Sequence, residues 1–390
     1  MIAAAIIGAG NISSQHIEGY MSFPDRCKIT HLADIYPEKA HKKNSEYNLS
    51  APVSASHKDI VNASDINLVS ICTPPFCHAE IAIDFLNAGK NVIVEKPMAA
   101  SLEECDAMID AAKKNGRVLS VIAQNRFRDP VYNLKKVLDS KMIGRIVHAH
   151  IDSLWWRGRA YYDLWWRGTW EKEGGGCTLN HAVHHIDMLC WMLGLPKKVS
   201  AVLSNVSHDN AEVEDVSAAI LQYGKGLCAE GALAQVTSSV IHHGEEQQLI
   251  FQGEKACVSW PWKTTANISQ PNGFPAKEQD TVLLDQLNKF YESLPKLAHS
   301  LHEGQIDDVL SAVEKGVSPL VGGEDGRNTI ELIASIYKAG AEQRTVDLPL
   351  SKNDAFYTVK GMRERVPRFY QKTASLEEMS GNITYSRYNR

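Results

Sequence analysis

Short apolar runs alternate with amphipathic stretches along the first 125 residues of the chain. Two stretches carry apolar residues at helical spacing, HAEIAIDFLNAGK (78–90) and SLEECDAMIDAAKKNG (101–116). The apolar runs predict β-strands, and they are IAAAII (2–7), CKITHLAD (27–34), NLVSICTPP (67–75), NVIVEKP (91–97) and RVLSVIAQN (117–125). Strands that alternate with helices predict a parallel sheet covered by helices on both faces.

The ends of the two predicted helices carry recognisable signals. Ser101 is followed three residues later by Glu104, which is the capping-box pattern of a helix start. Gly89 and Gly116 stand where the two helical patterns stop, and glycine commonly follows the last turn of a helix. These signals support the helical interpretation independently of the hydrophobic pattern.

The pattern changes from about residue 126, where apolar and polar residues alternate. The predicted strands are IVHAHIDSLWW (146–156), VSAAILQYG (216–224), GLCAEGALAQV (226–236), QQLIFQG (247–253) and KACVSWPW (255–262). They predict an antiparallel sheet with one face exposed or used for association. TIELIASIYKAGAEQ (329–343) predicts a helix, His242 and His243 fall in a predicted loop, and the tail after Lys352 is expected to pack on a neighbouring element or subunit.

Composition sets limits on function. The 390 residues are 44% hydrophobic and 22% charged, with a net charge of -5, which is typical of a globular protein and gives no reason to expect nucleic acid or an anionic membrane as partner. No apolar run approaches the ~20 residues that a membrane span needs. The apolar N-terminus is short and lacks basic residues, so it predicts a buried first strand and not a signal peptide. Eight scattered cysteines without a CxxC predict reduced thiols in a cytoplasmic protein.

A glycine-rich turn follows the first predicted strand. Gly8-Ala9-Gly10-Asn11-Ile12-Ser13 matches GxGxxG with serine in the third place. Gly8 permits a tight turn, Gly10 lets the backbone approach a pyrophosphate, and the following helix N-terminus favours phosphate. Asp34 ends the next strand, where an acidic residue accepts ribose hydroxyls and repels a 2′-phosphate. The pattern predicts a dinucleotide-binding domain over residues 1–125 that prefers NAD to NADP.

The stretch GGGCTLNHAVHHID (174–187) places three histidines in five positions. If residues 177–192 are helical, Asn180 shares a face with His184, and His181 shares a face with His185. A zinc site on the second pair is the alternative, but the HExxH glutamate is missing, so no metal is predicted. His181 and His185 are interpreted as packing or substrate-lining residues.

Five of the eight tryptophans fall between residues 154 and 176, together with arginines and glycines: Trp155, Trp156, Trp165, Trp166 and Trp170. Flat aromatic faces suit the C–H face of a sugar ring, and indole N–H groups bond hydroxyls. The segment therefore predicts a carbohydrate-binding wall, with buried core tryptophan as the alternative.

Three features together resemble the Gfo/Idh/MocA family of NAD(P)-dependent oxidoreductases: GAGNISSQH (8–16), Glu95-Lys96-Pro97, and GGGCTLNHAVHHID preceded by WWRGTW (165–170). The resemblance covers roughly residues 1–350. It implies an α/β protein with an N-terminal Rossmann parallel sheet and a C-terminal α/β domain with an open, mainly antiparallel sheet. The domains are expected at 1–125 and 126–390, with a return to the Rossmann side near 350–390. The family's activities, mainly on sugars and cyclitols, and its association into dimers or tetramers through the open sheet are expected here as well.

The resemblance also implies roles for individual residues. Lys96 would stabilise the alkoxide that forms when a hydroxyl is oxidised, and His184 would act as the general base. The family pattern D-x-G-x-H-x-x-D falls on Asn180, Ala182, His184 and Asp187, so asparagine replaces the usual aspartate. The expected cofactor residues are Gly8, Gly10, Asn11, Ile12, Asp34, Thr73, Pro74, His78, Glu95, Lys96, Trp166 and Arg167. The expected substrate residues are Lys96, Arg126, Trp155, Asn180, His181 and His184.

The leading hypothesis is a dehydrogenase that oxidises a secondary hydroxyl of a sugar, glycoside or inositol-like ring with NAD. A second hypothesis is a glycosidase that oxidises C3 transiently, eliminates the aglycone and recycles the cofactor in place. A third is a non-catalytic NAD-responsive sensor, since a fold does not fix a function. The presence of both Lys96 and His184 argues against the third, because a sensor needs neither.

Overall fold

The computed structural model describes residues 1–377. The chain forms two compact units. The first consists of Met1–Phe127, Leu297–Ile330 and Tyr357–Val359. The second consists of Arg128–Lys296, Glu331–Phe356 and the residues from Lys360 onward.

The first unit is built on a six-stranded sheet in the order β3-β2-β1-β4-β5-β6, in which every strand pair is parallel. Its strands are β1 (Ile2–Ile7), β2 (Cys27–Ala33), β3 (Val53–Ser54), β4 (Leu68–Ile71), β5 (Asn91–Val94) and β6 (Leu119–Val121). The strand order reverses between β1 and β4, and open α/β sheets bind their ligands at such a switch point.

Helices accompany this sheet. They are α1 (Ser13–Met21), α2 (Pro37–Glu46), α3 (His78–Asn87) and α4 (Leu102–Asn115). The predicted capping signals of α4 are confirmed, since Ser101 Oγ accepts the Glu104 N–H at 3.2 Å and Gly116 adopts a φ of 61°. Strands β4 and β5 are buried throughout, as expected of a parallel sheet with two covered faces.

The first unit also takes in a helix from the later part of the chain, α9. It spans Leu301–Lys315, inside the region assigned from sequence to the second domain, yet its segment belongs to the first unit. Its Ile306, Val309 and Leu310 are buried in the core that also contains Ile17 of α1. Gly19 allows this packing, because a Cβ at that position would overlap the Ile306 side chain. From the sequence, the apolar stripe of α9 indicates an amphipathic helix. It does not indicate which of the two sheets the helix covers.

The second unit contains an eight-stranded sheet in the order β13-β12-β11-β7-β10-β9-β8-β16. Its strands are β7 (Ile146–Trp156), β8 (Lys198–Ser204), β9 (Val216–Gln222), β10 (Cys228–Ser239), β11 (Ile241–Gly253), β12 (Cys257–Trp260), β13 (Lys263–Thr265) and β16 (Val346–Asp347). β7 and β10 are parallel and the other pairs are antiparallel, so the mainly antiparallel sheet is confirmed.

Further helices complete the described chain. They are α5 (Asp129–Asp139), α6 (Cys177–Asn180), α7 (Val183–Leu193), α8 (Thr281–Ser293), α10 (Gly323–Glu342) and α11 (Val359–Arg365). A two-stranded sheet pairs β14 (Asn267–Ser269) with β15 (Pro275–Gln279). Short 3-10 turns cover His57–Asp59, Pro75–Cys77, Gln124–Phe127, Arg159–Asp163 and Ala355–Tyr357. α10 begins six residues before the predicted helix at 329–343.

Strand β11 begins earlier than the strand predicted at 247–253. His242 and His243 lie inside β11 and not in a loop. The chain leaves β10, passes the end of β7 at Val240, and returns along the other side of β7, so β11 begins without an intervening turn sequence. The alternation of apolar residues near Gly244 is too weak to reveal this continuation.

The tail is divided between the units: Tyr357–Val359 belongs to the first unit, on the Rossmann side where a return was expected near 350–390, and the described residues from Lys360 onward belong to the second unit. The Leu376 N–H donates to the Asp163 carbonyl at 2.7 Å, and the Phe369 N–H donates to the Glu212 carbonyl at 3.0 Å. Residues 378–390 of the predicted tail lie outside the described residues. Within residues 1–377, none of the helices combines the length and apolar character needed to cross a bilayer. All eight cysteines are unpaired by disulfides.

Candidate active site

The glycine-rich turn between β1 and α1 has open backbone at its tip. Gly8 has a φ of 92°, and a Cβ there would lie 2.8 Å from the backbone of Cys72, so only glycine fits. A Cβ at Gly10 would meet nothing within 4 Å, which leaves room for a ligand to approach the backbone. Ser13 is buried and donates from Oγ to the Gly10 carbonyl at 2.7 Å. The turn and the helix start fit a pyrophosphate.

The carboxylate of Asp34 lies beside this turn. Its Oδ2 accepts the Ala9 N–H at 2.6 Å, and its Oδ1 accepts the Tyr36 N–H at 2.8 Å. Two backbone donors thus fix the carboxylate at the end of β2, next to the glycines. The predicted association of the acidic residue with the glycine-rich turn is therefore present, and its position fits the ribose of a dinucleotide.

The end of β4 meets the same turn. A Cβ at Gly8 would lie 2.9 Å from the Thr73 nitrogen, so Thr73 and Pro74 follow β4 directly beside the glycines. His78 is fully buried, and its ring nitrogens lie 2.8 Å from the Thr73 carbonyl oxygen and 2.9 Å from the Pro97 carbonyl oxygen. His78 therefore braces two turns at the sheet edge. Contact of His78 with the cofactor stays a prediction.

Glu95 and Lys96 follow β5 at the same edge of the sheet, and the Lys96–Pro97 peptide bond is cis. The Glu95 carboxylate is buried. Its Oε1 accepts from His16 Nε2 at 3.1 Å and from His302 Nε2 at 3.3 Å, and its Oε2 accepts the Lys96 N–H at 3.1 Å. Burial opposes ionisation, but these imidazole donors hold the pKa of Glu95 well below its usual range.

A continuous hydrogen-bond chain extends behind Glu95. Burial lowers the pKa of His16, so the ring is neutral and carries one N–H. With that N–H directed to Glu95, Nδ1 accepts from Ser70 Oγ at 3.0 Å, and Tyr20 bonds Ser70 at 2.8 Å. The backbone of Lys96 is thereby anchored on a buried network. The Glu95 carboxylate is directed to these buried partners, which supports a role in positioning Lys96, and its contact with the cofactor stays a prediction.

Arg126, expected near the substrate, is buried and paired with an acidic residue. Its side chain is 1% exposed, and Nη1 lies 2.8 Å from Asp325 Oδ1. Both residues belong to the first unit. The sequence placed Arg126 at the end of the last Rossmann strand but gave no sign of this acidic partner, about 200 residues away. The contact indicates a structural ion pair.

In the second unit, the three glycines 174–176 form a tightly packed turn. A Cβ at Gly175 would overlap the Tyr337 hydroxyl, and a Cβ at Gly176 would overlap the Glu214 carbonyl oxygen. The buried Glu214 carboxylate accepts from the N–H groups of Gly176 at 3.1 Å and Thr178 at 3.0 Å. Burial raises the pKa of Glu214. This carboxylate holds the start of α6, and glycine is required for the close approach.

Residues 177–192 do not form the single helix on which the i, i+4 pairings were conditional, because the helix is interrupted at His181 and Ala182. α6 ends at Asn180 and α7 begins at Val183. The Ala182 N–H donates to the Cys177 carbonyl at 2.9 Å, five residues back, which inserts one residue into the turn. The expected i, i+4 pairings therefore do not arise from a continuous helix, and His181 and His185 enter different surroundings.

Asn180 has a local structural task. Its Nδ2 donates to the Gly175 carbonyl oxygen at 2.9 Å, across the glycine turn. An aspartate has no donor for that contact. The departure from the family pattern is thus matched by a hydrogen bond that only the amide makes.

The three histidines differ in burial and neighbours. His181 is buried beside aromatic rings, with Nε2 3.4 Å from the Tyr161 hydroxyl and its ring 5.8 Å from that of Trp155. His185 is fully buried against Trp260, and neither ring nitrogen has a hydrogen-bond partner within residues 1–377. His184 is half-buried, so it is the most accessible of the three.

An aromatic and cationic cluster surrounds Tyr161. The Arg167 guanidinium lies 4.2 Å from the ring centres of both Tyr161 and Trp166, and its Nη1 is 3.0 Å from Glu173 Oε1. Burial raises the pKa of Glu173 to about 7. Trp170 is fully buried, so the tryptophan-rich segment combines core and accessible rings. Contact of Trp166 and Arg167 with the cofactor stays a prediction.

Comparison with known proteins identifies the family. Residues 2–123 match the model described as oxidoreductase family, NAD-binding Rossmann fold, and residues 131–259 match the GFO/IDH/MocA C-terminal domain. The chain belongs to the Gfo/Idh/MocA family. Its fold is that of the family, and it is an NAD-binding oxidoreductase.

Relatives within the Gfo/Idh/MocA family have named activities. The chain is 26% identical to levoglucosan dehydrogenase of Pseudarthrobacter phenanthrenivorans, over 88% of this chain and 97% of that protein. It is 24% identical to inositol 2-dehydrogenase of Salmonella typhimurium, over 75% of this chain and 82% of that protein. The structure of the WlbA dehydrogenase from Chromobacterium violaceum in complex with NADH and UDP-GlcNAcA matches with a TM-score of 0.76 and 26% identity, over 90% and 96% of the two chains.

Several residues of this Gfo/Idh/MocA chain were not singled out from sequence. His16 ends the quoted GAGNISSQH motif, and Arg157 and Tyr161 lie in the tryptophan-rich segment, so local signals for them existed. His302 and Glu214 carry no local motif. Their roles depend on contacts across long sequence separations, 207 residues for His302 with Glu95.

Proposed function

We propose that this enzyme moves a hydride between NAD and a secondary hydroxyl or ketone of a sugar, glycoside or inositol-like ring. The observation that carries the proposal is the arrangement at the carboxyl edge of the first sheet. The glycine-rich turn after β1 and Lys96 after β5 occupy this edge on either side of β4. Ligands of open α/β sheets bind at this edge.

The cofactor residues are proposed on the same basis. The open backbone at Gly10 and the start of α1 would receive the pyrophosphate, and Asn11 and Ile12 belong to the same turn. Asp34 would accept the ribose hydroxyls, which favours NAD because a 2′-phosphate would meet its negative charge. When bound, the nicotinamide supplies hydride exchange.

Lys96 and His184 are proposed as the groups that handle the substrate oxygen and its proton. The Lys96 ammonium would stabilise the negative charge that develops on the oxygen when the carbinol loses its hydrogen. His184 would accept the hydroxyl proton, a task that suits an imidazole near neutral pH. The half-buried position of His184, between two more deeply buried histidines, supports this choice.

The relatives support the proposed substrate class. Levoglucosan and inositol dehydrogenases cover most of the chain, and both names denote oxidation of polyhydroxylated rings. The accessible aromatic rings near Trp155 and His181 support a sugar-like ligand. A contact from Asn180 to the substrate remains part of the proposal, although its amide nitrogen already serves Gly175.

Replacement of Lys96 tests the mechanism. In Lys96→Ala, turnover should fall by at least about a hundredfold, because electrostatic stabilisation of an oxyanion is typically worth that much or more. NADH binding, followed by cofactor fluorescence, should persist. Lys28→Ala, at an exposed position of β2, is the control. Near-normal turnover in Lys96→Ala would reject the mechanism, and aglycone release from glycosides without NADH accumulation would favour the cofactor-recycling glycosidase.

Self-association is proposed through the eight-stranded sheet. Val202, Ile220 and Leu233, on the neighbouring strands β8, β9 and β10, are 70%, 45% and 45% exposed. Exposed apolar residues on adjacent strands support contact with a second copy, as a dimer or tetramer. Light scattering of wild type and Leu233→Lys tests this, since a monomer in both would reject it. A cytoplasmic location remains a prediction that the free cysteines support.

A further inference from the structure

The side chain of Arg157 combines accessibility with a fixed position. It follows β7 and is half-buried. Its guanidinium lies 5.3 Å from the ring centre of Trp155 and 5.6 Å from that of Tyr161. Tyr161 and Trp155 are also the two aromatic neighbours of His181, which precedes the proposed base by three residues. Arg157 therefore belongs to the same aromatic cluster as a predicted substrate residue.

The backbone of Arg157 is held on both sides. Its N–H donates to the Val240 carbonyl at 2.7 Å, and its carbonyl oxygen lies 3.1 Å from His208 Nε2. His208 is fully buried, with Nδ1 3.0 Å from Asp215. The buried contact between His208 and Asp215 thus fixes the main chain from which the guanidinium extends. Such anchoring lowers the entropy lost when a ligand is bound.

The charge of Arg157 has no acidic partner in this cluster, in contrast to that of Arg167. Arg167 contacts the same Tyr161 ring, but the buried Glu173 carboxylate lies 3.0 Å from its Nη1. Arg157 donates from Nη1 to the Trp156 carbonyl at 2.8 Å and forms no salt bridge with a carboxylate of residues 1–377. Of the two guanidiniums near Tyr161, that of Arg167 has a carboxylate partner, and that of Arg157 has none within residues 1–377.

Arg157 donates from Nη1 to the Trp156 carbonyl and hydrogen-bonds Tyr161, and a guanidinium carries five N–H groups, so donors remain for a ligand. The guanidinium fork matches the two oxygens of a carboxylate. We propose that Arg157 binds the carboxylate of an acidic sugar, so that the substrate is a uronic acid or a related sugar acid. This inference rests on the proposed oxidation of a sugar ring.

Matched substrates test this inference. D-Glucuronate and D-galacturonate are compared with D-glucose and D-galactose, with their methyl uronates and with glucose 6-phosphate, by NADH formation and by quenching of tryptophan fluorescence. The uronates should bind about ten- to a hundredfold more tightly than the neutral sugars, as expected for a charge-assisted hydrogen bond. The preference should disappear in Arg157→Gln and persist in part in Arg157→Lys.

Arg159→Gln is the matched control, because Arg159 is an exposed arginine two residues away whose contact with Asp209 is 3.8 Å long. It should keep the uronate preference. Equal binding of acidic and neutral sugars, or a preference for uronates that Arg157→Gln leaves intact, would overturn the inference. NADH formation with the neutral sugars would still support the proposed function in that case. Preference for glucose 6-phosphate alone would reject a carboxylate as the ligand of Arg157. Uronate binding without NADH formation would support the site and reject the dehydrogenase.

Discussion

Replacing His185 with leucine should stabilise the protein and flatten its response to acid. The His185 ring is fully buried in the second unit, and neither nitrogen has a hydrogen-bond partner within residues 1–377. Burial lowers the pKa of His185 to about 4 and outweighs the opposing charge of Asp152. Leucine has a similar volume and no polar atom, so it removes a cost of about 1–3 kcal/mol for the unsatisfied nitrogens at pH 7.5.

The pH dependence follows from the same pKa. In the unfolded chain the imidazole titrates near 6.5, so between about pH 6.5 and 4 the unfolded state binds more protons than the folded state. Stability therefore falls as the pH is lowered through this window. The difference of about 2.5 pKa units corresponds to roughly 3.4 kcal/mol in total, of which about 2 kcal/mol is lost by pH 5.

Urea denaturation of wild type and His185→Leu at pH 7.5, 6 and 5 measures both effects. The variant should have a larger free energy of unfolding than wild type at pH 7.5. The difference between the two proteins should increase by about 2 kcal/mol at pH 5. His243→Leu, at an exposed position of β11, controls for the loss of an imidazole. Parallel pH profiles for wild type and His185→Leu would refute the reasoning, because they would mean that the ring is protonated or hydrogen-bonded in the folded state.

Three further predictions concern residues of the two units. Asp34→Ala should weaken NADH binding about tenfold or more and weaken NADPH binding less, as measured by cofactor fluorescence; equal losses would contradict its proposed ribose contact. Glu95→Gln should lower the free energy of unfolding by about 1.5–3 kcal/mol, because two buried imidazoles lose an ionised hydrogen-bond acceptor; unchanged denaturation would count against the network. Gly176→Ala should destabilise the fold severely by overlap with a carbonyl oxygen, whereas Gly226→Ala, which meets nothing within 4 Å, should show only the strain of its φ of 69°; similar losses in both would exclude the overlap.

The nucleotide-binding half was largely predictable because its determinants are local. The buried runs, the Gly8 turn and Asp34 lie within 34 residues, and hydrophobic pattern and turn chemistry indicate the same βαβ unit. The association of Asp34 with the turn is present as a hydrogen bond to Ala9. Polar side chains in this half were less predictable, since His78, Glu95 and Arg126 are directed inward by partners that the strand pattern does not reveal.

The second half resisted prediction where distant residues decide local geometry. The break between α6 and α7 depends on the glycine turn against Glu214, which lies 38 residues from Gly176. Helical periodicity alone predicts a continuous helix there. The assignment of α9 to the first unit likewise depends on Ile306 fitting over Gly19, a shape match without a sequence signature. Long-range packing of this kind overrides local propensity.

The most direct test of the account is nicotinamide absorbance after purified protein is mixed with NAD and a panel of aldoses, uronic acids, inositols, anhydrosugars and simple glycosides. The account predicts growth of the reduced-cofactor signal with at least one polyhydroxylated ring, and its loss in Lys96→Ala. A protein that binds NADH but reduces NAD with none of these compounds would contradict the proposed dehydrogenase.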